Sequence, residues 1–147
     1  MAELNTAVLM FIAQRHAEAR VIEHLREHGF DDITIAQGRI AARLGPEGMR
    51  LTDLAAAAQV TKQTAAFLVG QLERAGYVER RLDPSDARAR LIYVAERGEQ
   101  AQQQARVMER QIEAEWEGHL GKRRMRELRR ALTDLRAITD PWMDEPE

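Results

Sequence analysis

The chain contains no cysteine, which excludes disulfides, cysteine–metal sites and thiol-based redox sensing. Aromatic residues make up only 5% of it, so aliphatic side chains and alanine must fill the interior. No run of about 18 apolar residues occurs, so no membrane-spanning helix is expected. The N-terminus lacks a basic segment leading into an apolar run and a small-residue cleavage site, and a cytoplasmic protein is the expectation. There is no Gly-rich phosphate loop, nucleophile elbow or metal-hydrolase helix motif. The chain is therefore not expected to be an enzyme, and no cofactor is implied.

What is present suits one domain with appended helices: 147 residues, 44% hydrophobic and 31% charged. The formal net charge is -2, with 22 Lys+Arg against 24 Asp+Glu. Its distribution is uneven. Residues 1–49 hold 5 basic and 7 acidic side chains, residues 50–94 hold 7 and 5, and residues 95–147 hold 10 and 12. Only the middle third is positive.

Apolar residues at Leu4, Val8, Phe11, Ile12, Ala19, Ile22 and Leu25 follow a helical period, ended at His28-Gly29-Phe30 with Gly29 as a left-handed cap. Thr34 to Leu44 reads as a second helix, stopped by Gly45-Pro46. Leu51 to Ala58 reads as a third, with Thr52 as its N-cap. After the turn Gln59-Val60-Thr61, a fourth runs from Lys62 to Ala75. The period then changes. Tyr77–Leu82 and Arg90–Val94 are β-compatible, and Asp83-Pro84-Ser85-Asp86-Ala87-Arg88 between them has turn chemistry, which predicts a hairpin. From Glu96 the helical period returns in Ala101, Ala105, Met108, Ile112 and Trp116, with breaks at Gly118 and Gly121. A last helix carries Met125, Leu128, Leu132, Leu135 and Ile138.

Two helices joined by a short turn and followed by a basic hairpin predict a winged helix-turn-helix. The major groove of B-DNA admits one α-helix, which the preceding helix braces. The hairpin reaches the neighbouring minor groove, where a cationic side chain meets negative potential. In Lys62–Ala75 the inward stripe is Ala65, Leu68, Val69 and Leu72. Thr61, Lys62, Gln63, Thr64, Phe67 and Gln71 remain for outer faces. Gln63 can pair with adenine, and Thr61 or Thr64 can hold a phosphate. Arg80, Arg81 and Arg90 read either as phosphate clamps or as exposed strand residues.

The expected fold is mainly α (α+β). Its winged helix-turn-helix core spans 33–94. The helical region 1–32 and 95–139 lies outside that core and is expected to form a dimerisation lobe; its amphipathic stripes can be buried either by packing on their own chain or by pairing with a second copy. Residues 140–147 form an acidic tail.

Val60-Thr61-Lys62-Gln63-Thr64 and Leu72-Glu73-Arg74-Ala75-Gly76-Tyr77-Val78-Glu79-Arg80 resemble the recognition helix and first wing strand of MarR-type regulators. Asp83-Pro84-Ser85-Asp86-Ala87-Arg88, followed by Leu91 to Gly98, resembles their wing and its return into a long helix. The resemblance covers nearly the whole chain. It implies a homodimeric, ligand-responsive transcriptional regulator, most often a repressor, that binds a pseudo-palindromic operator in double-stranded DNA. It also implies that Arg88 enters the minor groove while Asp86 holds its guanidinium. Two departures stand out. Ala66 and Phe67 replace a polar and a basic residue, which implies either a more apolar base readout, as at a thymine methyl group, or an unusual operator. Val94-Ala95 replaces Leu-Thr, which removes a helix cap. Family effectors are small and aromatic or anionic, and lie between the dimer helices and the DNA-binding lobe; Arg15, His16 and Arg39 are the candidates to line such a pocket. Without cysteine, the thiol-oxidised peroxide sensors are excluded.

His16, His24 and His28 have metal-capable spacing on one helix, but such sets arise easily on exposed helix faces; a solvated or dimer-flanking face is the expected reading and no metal site is assigned. A winged-helix module that binds another protein, and a cytoplasmic small-ligand-binding dimer without DNA function, are the alternative readings.

Overall fold

The computed structural model describes residues 2–141. Six helices and one hairpin follow in the order α1 (Thr6–Glu27), α2 (Ile35–Ala41), α3 (Leu51–Ala57), α4 (Lys62–Arg74), β1 (Val78–Asp83), β2 (Asp86–Val94), α5 (Glu96–Leu120) and α6 (Lys122–Thr139). This is the mainly helical winged-helix architecture expected. No helix among the described residues is long and apolar enough to cross a membrane.

Local chemistry starts each element. Asn5 caps α1, its side chain accepting from the Val8 N–H at 2.9 Å. Thr34 and Gln37 form a reciprocal capping box at α2. Thr61 caps α4 by accepting from the Thr64 N–H. The helix-turn-helix turn is closed by Gln59, whose φ of 58° is the one left-handed non-glycine among the described residues; its side-chain amide donates to the Ala56 carbonyl at 2.8 Å.

Several boundaries differ from the sequence expectation. Thr52 does not cap α3. Arg50 holds the N-cap position without a side-chain cap bond, and Thr52 lies inside the helix. The second helix stops at Ala41 rather than Leu44, because Arg43 and Leu44 bond three residues back, to Ile40 and Ala41. Gly118 does not break α5, which runs through it to Leu120; only Gly121, at φ 88°, interrupts the chain between α5 and α6. Strand β2 begins at Asp86, not Arg90, so Pro84-Ser85 is the whole turn and Arg88 belongs to the strand. The register passes from Leu82↔Arg90 directly to Asp83↔Asp86, which leaves residues 87–89 as a bulge at the tip. A bridge between Met49 and Ile92 adds a third short edge to the hairpin. Asp140 does not begin a loose tail: Arg43 holds it at 3.0 Å. The rest of the expected tail, from 142 on, lies outside the described residues.

The core joins the end of α1 to the winged helix. Ile22, Leu25, Phe30, Ile33, Ile40, Leu54, Leu68, Val69, Leu72, Tyr77, Ile92 and Ala101 are buried in one cluster. The opposite end of α1 is different. Leu4, Val8, Leu9, Met10, Phe11 and Ile12 are exposed, as are Leu128, Leu132, Leu135 and Ile138 of α6.

Candidate nucleic-acid interface

Helix α4 packs between α2, α3 and the hairpin. Ala65, Leu68, Val69 and Leu72 are buried, which is the inward stripe expected. At 100° per residue, the row opposite them is Gln63, Phe67, Gly70 and Arg74. Thr61, Lys62, Gln63, Thr64 and Phe67 are all exposed. Thr61 is committed to its own helix, because it caps α4 and its hydroxyl lies 2.9 Å from that of Thr64. Gln71 departs from the expectation of an outward-facing residue. Its carbonyl oxygen accepts from the Gln37 side chain at 3.0 Å, and Gln37 is only 6% exposed. Gln71 thus ties α4 to α2. Arg74 is exposed and stands on the outward row, yet sequence reasoning missed it; counting helical turns from the buried stripe would have found it.

The wing arginines divide into two groups. Arg80 pairs with Glu73 at 3.3 Å. Arg81 pairs with Glu79 and lies over the Tyr93 ring at 4.5 Å. Arg88 and Arg90 are exposed, and among the described residues neither guanidinium has a carboxylate partner. Asp86 does not grip the Arg88 guanidinium as expected. It accepts from the Arg88 backbone N–H at 3.0 Å, because the bulge turns that N–H back over the tip. Its role is to shape the strand, and the arginine side chain is left extended into solvent.

The base of the wing is anchored by Arg50, which sequence reasoning missed. Its Nη2 lies 2.9 Å from Asp83 Oδ2 and its Nε 3.3 Å from the same oxygen. Asp83 Oδ1 accepts from the Ser85 hydroxyl at 2.7 Å and the Ser85 N–H at 2.9 Å. The Ser85 bonds and then Arg50 hold the Asp83 carboxyl at a pKa of about 2. A second anchor lies at the start of α5. Arg97 bonds both oxygens of Asp32 at 3.0 Å, donates to the Ala75 carbonyl and sits 4.3 Å over the Tyr77 ring. The Tyr77 hydroxyl also donates to Asp32. Burial, with that bond, pushes the Tyr77 phenol above its ordinary range. Burial alone would raise Asp32, but the bonds from Tyr77 and Arg97 outweigh it and the carboxyl is lowered.

The other expected sites are less assembled. Arg15 and His16 are exposed on α1. Arg39 is engaged by Glu18 through two bonds, at 2.5 and 2.8 Å. An open cleft of about 330 Å³ between α1 and α5 is lined by Gln14, Arg106, Arg110, Ile112 and Trp116 among others, and by none of those three residues. The His24 ring bonds Gln104 at 3.0 Å and the His28 ring bonds the His24 carbonyl at 2.8 Å. Among the described residues no three His, Asp or Glu side chains gather as metal ligands.

The family model described as MarR family matches residues 31–89. Over residues 31–89 the chain is similar to the winged helix of the MarR family. Solved structures extend the likeness of fold to most of the chain. A MarR transcriptional regulator from Methanosarcina mazei Go1 is 19% identical, with a TM-score of 0.73 over 88% of this chain and 91% of that one. Apo wild-type MarR from E. coli is 18% identical, with a TM-score of 0.70 over 92% and 98%. A mutant of S. aureus MepR bound to an oligodeoxyribonucleotide is 22% identical, with a TM-score of 0.59 over 92% and 98%. No curated protein matches the chain. The fold is that of the MarR-family transcriptional regulators, and the absence of a side-chain cap at Ala95 is the structural mark of this chain's departure at Val94-Ala95.

Proposed function

We propose that this chain binds a pseudo-palindromic operator in double-stranded DNA as a homodimer and represses transcription until a small aromatic or anionic effector releases it. One observation carries the reading. Helix α4 turns Lys62, Gln63 and Thr64 outward beside a hairpin whose Arg88 and Arg90 lack carboxylate partners among the described residues. Donors on a helix of groove-fitting width, with free cations one element away, match adjacent major and minor grooves. The oligonucleotide held by the S. aureus MepR mutant, a protein of the same fold, supports it.

In this reading residues 33–94 contact DNA and the helices in 1–32 and 95–139 hold two copies together. The exposed apolar residues of α1 and α6 supply the shared surface. The effector site lies near Arg15, His16 and Arg39, where an anion must displace Glu18 from Arg39. The test is a gel shift on the duplex flanking the protein's own gene at three salt concentrations, with and without salicylate as the probe. Binding should weaken steeply with salt, since phosphate contacts release counterions, and salicylate should weaken it further. Failure to retain any duplex at low salt would leave a protein-docking module instead. Retention unaffected by salicylate and other phenolic acids would remove ligand control but keep DNA binding.

A further inference from the structure

The outward row of α4 is polar or small except at its centre. Phe67 is 63% exposed. It lies one turn after Gln63 and one turn before Gly70 and Gln71, and the buried stripe of Ala65, Leu68, Val69 and Leu72 is on the opposite side. No other large apolar side chain of α4 is exposed. A protein partner would require a contiguous apolar patch, and here there is a single ring on a row with Gln63, Gly70 and the exposed Arg74. What fits a single ring between hydrogen-bonding neighbours is a base edge carrying one apolar group. In the major groove that group is the methyl on C5 of a pyrimidine. Gly70, one turn on, adds no side chain of its own, and the Arg74 guanidinium lies over it, 3.6 Å from where a Cβ would stand.

We infer that Phe67 is a specificity-determining residue that reads a C5-methyl pyrimidine in the major groove, with thymine and 5-methylcytosine as the two sources of that chemistry. The inference rests on the DNA-binding reading above. Gln63 supplies the hydrogen-bonded part of the readout and Phe67 the apolar part. Removing a methyl from water is worth about a fourfold change in affinity for each recognition helix engaged.

The experiment starts from duplexes of about three helical turns, selected by the full-length protein from a random library. The same pool is then amplified with dTTP, with dUTP, or with 5-methyl-dCTP replacing dCTP. Uracil keeps the pairing and removes only the methyl. Fluorescence anisotropy gives Kd for the parent, Phe67→Ala and Leu82→Ala. If thymine is read, the parent loses about fourfold or more on the dU pool. If methylcytosine is read, it gains a similar factor on the 5-methyl-dC pool. In either case Phe67→Ala should bind the matched pools equally, while Leu82→Ala, altered on the wing, should keep the parent's discrimination. Because Phe67 is largely exposed, its truncation should leave the melting curve unchanged. Equal binding of all three pools by the parent overturns the inference while leaving DNA binding intact. So does discrimination that survives in Phe67→Ala or vanishes in Leu82→Ala. Failure to bind any duplex overturns this inference and the function together.

Discussion

Arg50, which opens α3, reaches across to the wing and holds Asp83 at 2.9 Å. The contact joins the helix-turn-helix to the base of the hairpin, so the two proposed DNA-contacting elements share one rigid reference. Asp83 is only 8% exposed and its other oxygen is satisfied by Ser85. Losing Arg50 leaves Asp83 held by Ser85 alone, and losing Asp83 leaves Arg50 only a 3.9 Å contact to Asp86; either way the tip loses its bearing on α4.

This pair has a pH signature. The folded-state pKa of Asp83 is about 2, below the ordinary 3.8. A depressed carboxylate stabilises the fold above its unfolded value, and that contribution is lost as pH falls from about 4 toward 2. Denaturant titrations at pH 7, 4, 3 and 2 should show the parent losing stability across that window. Asp83→Asn should be less stable at pH 7 and show a shallower decline below pH 4. Equal declines in the two proteins would mean that Asp83 is not held by these bonds in solution.

Gly98 fixes how the wing returns to the helical region. A Cβ at this position would lie 2.2 Å from the Tyr77 carbonyl oxygen and 2.8 Å from Val94 Cγ1. Neither the Tyr77 backbone, just ahead of β1, nor the packed valine can yield cheaply. Gly98→Ala should destabilise the protein by about 1–3 kcal/mol, the usual cost of overpacking, or roughly 3–10 °C in Tm. Differential scanning calorimetry decides it; a Tm at or above that of the parent would show that α5 docks differently.

The helices and their inward stripe were legible because periodicity and turn residues act locally. Leu68, Val69 and Leu72 are buried as their spacing predicts. Part of what escaped was set by contacts distant in sequence, and part by local backbone geometry. Arg50 and Asp83 are 33 residues apart, and no local pattern marks them as partners. Asp86 and Arg88 are close enough to suggest a side-chain pair, but the bulge across 87–89 offers the carboxylate a backbone N–H instead. Gln71 looks like a surface amide until Gln37, buried on α2, is placed beside it. Gly118 is tolerated within α5 because neighbouring turns carry the helix through it. The N-cap of α3 failed for a related reason: Thr52 has the right chemistry, yet the chain enters the helix two residues earlier.

The apolar residues left uncovered on α1 and α6 predict self-association. Val8, Phe11 and Ile12 on one helix and Leu128, Leu132 and Leu135 on the other are exposed in the single chain. Sedimentation at micromolar concentration should give a dimer. Two-fold pairing would set the recognition helices about 34–36 Å apart, or a multiple of it. Phe11→Asp combined with Leu132→Asp should shift the protein to monomer and weaken operator binding by well over tenfold. A parent that sediments as a monomer would refute the dimer and the symmetric operator with it.

The last prediction separates base identity from shape. Gln63 stands on the outward row of α4, and Arg88 extends from the bulged tip of β2. An amide bonding an adenine edge distinguishes sequences, whereas a cation in the minor groove responds mainly to width and A·T content. Gln63→Ala should therefore lower the ratio of operator to random-DNA affinity, by about 1–3 kcal/mol per half-site if two bonds are lost. Arg88→Ala should weaken both DNAs alike and flatten the salt slope by about one unit per wing. Asp86 provides the internal control. It accepts from the Arg88 N–H rather than gripping the guanidinium, so Asp86→Asn, which keeps an acceptor oxygen, should bind like the parent. Asp86→Ala should fall between the parent and Arg88→Ala. Anisotropy with both DNAs at three salt concentrations measures all four variants. If Asp86→Asn were as weak as Arg88→Ala, the carboxylate charge would be restraining the arginine side chain after all. If Arg88→Ala matched the parent on both DNAs, the wing would not be the minor-groove probe.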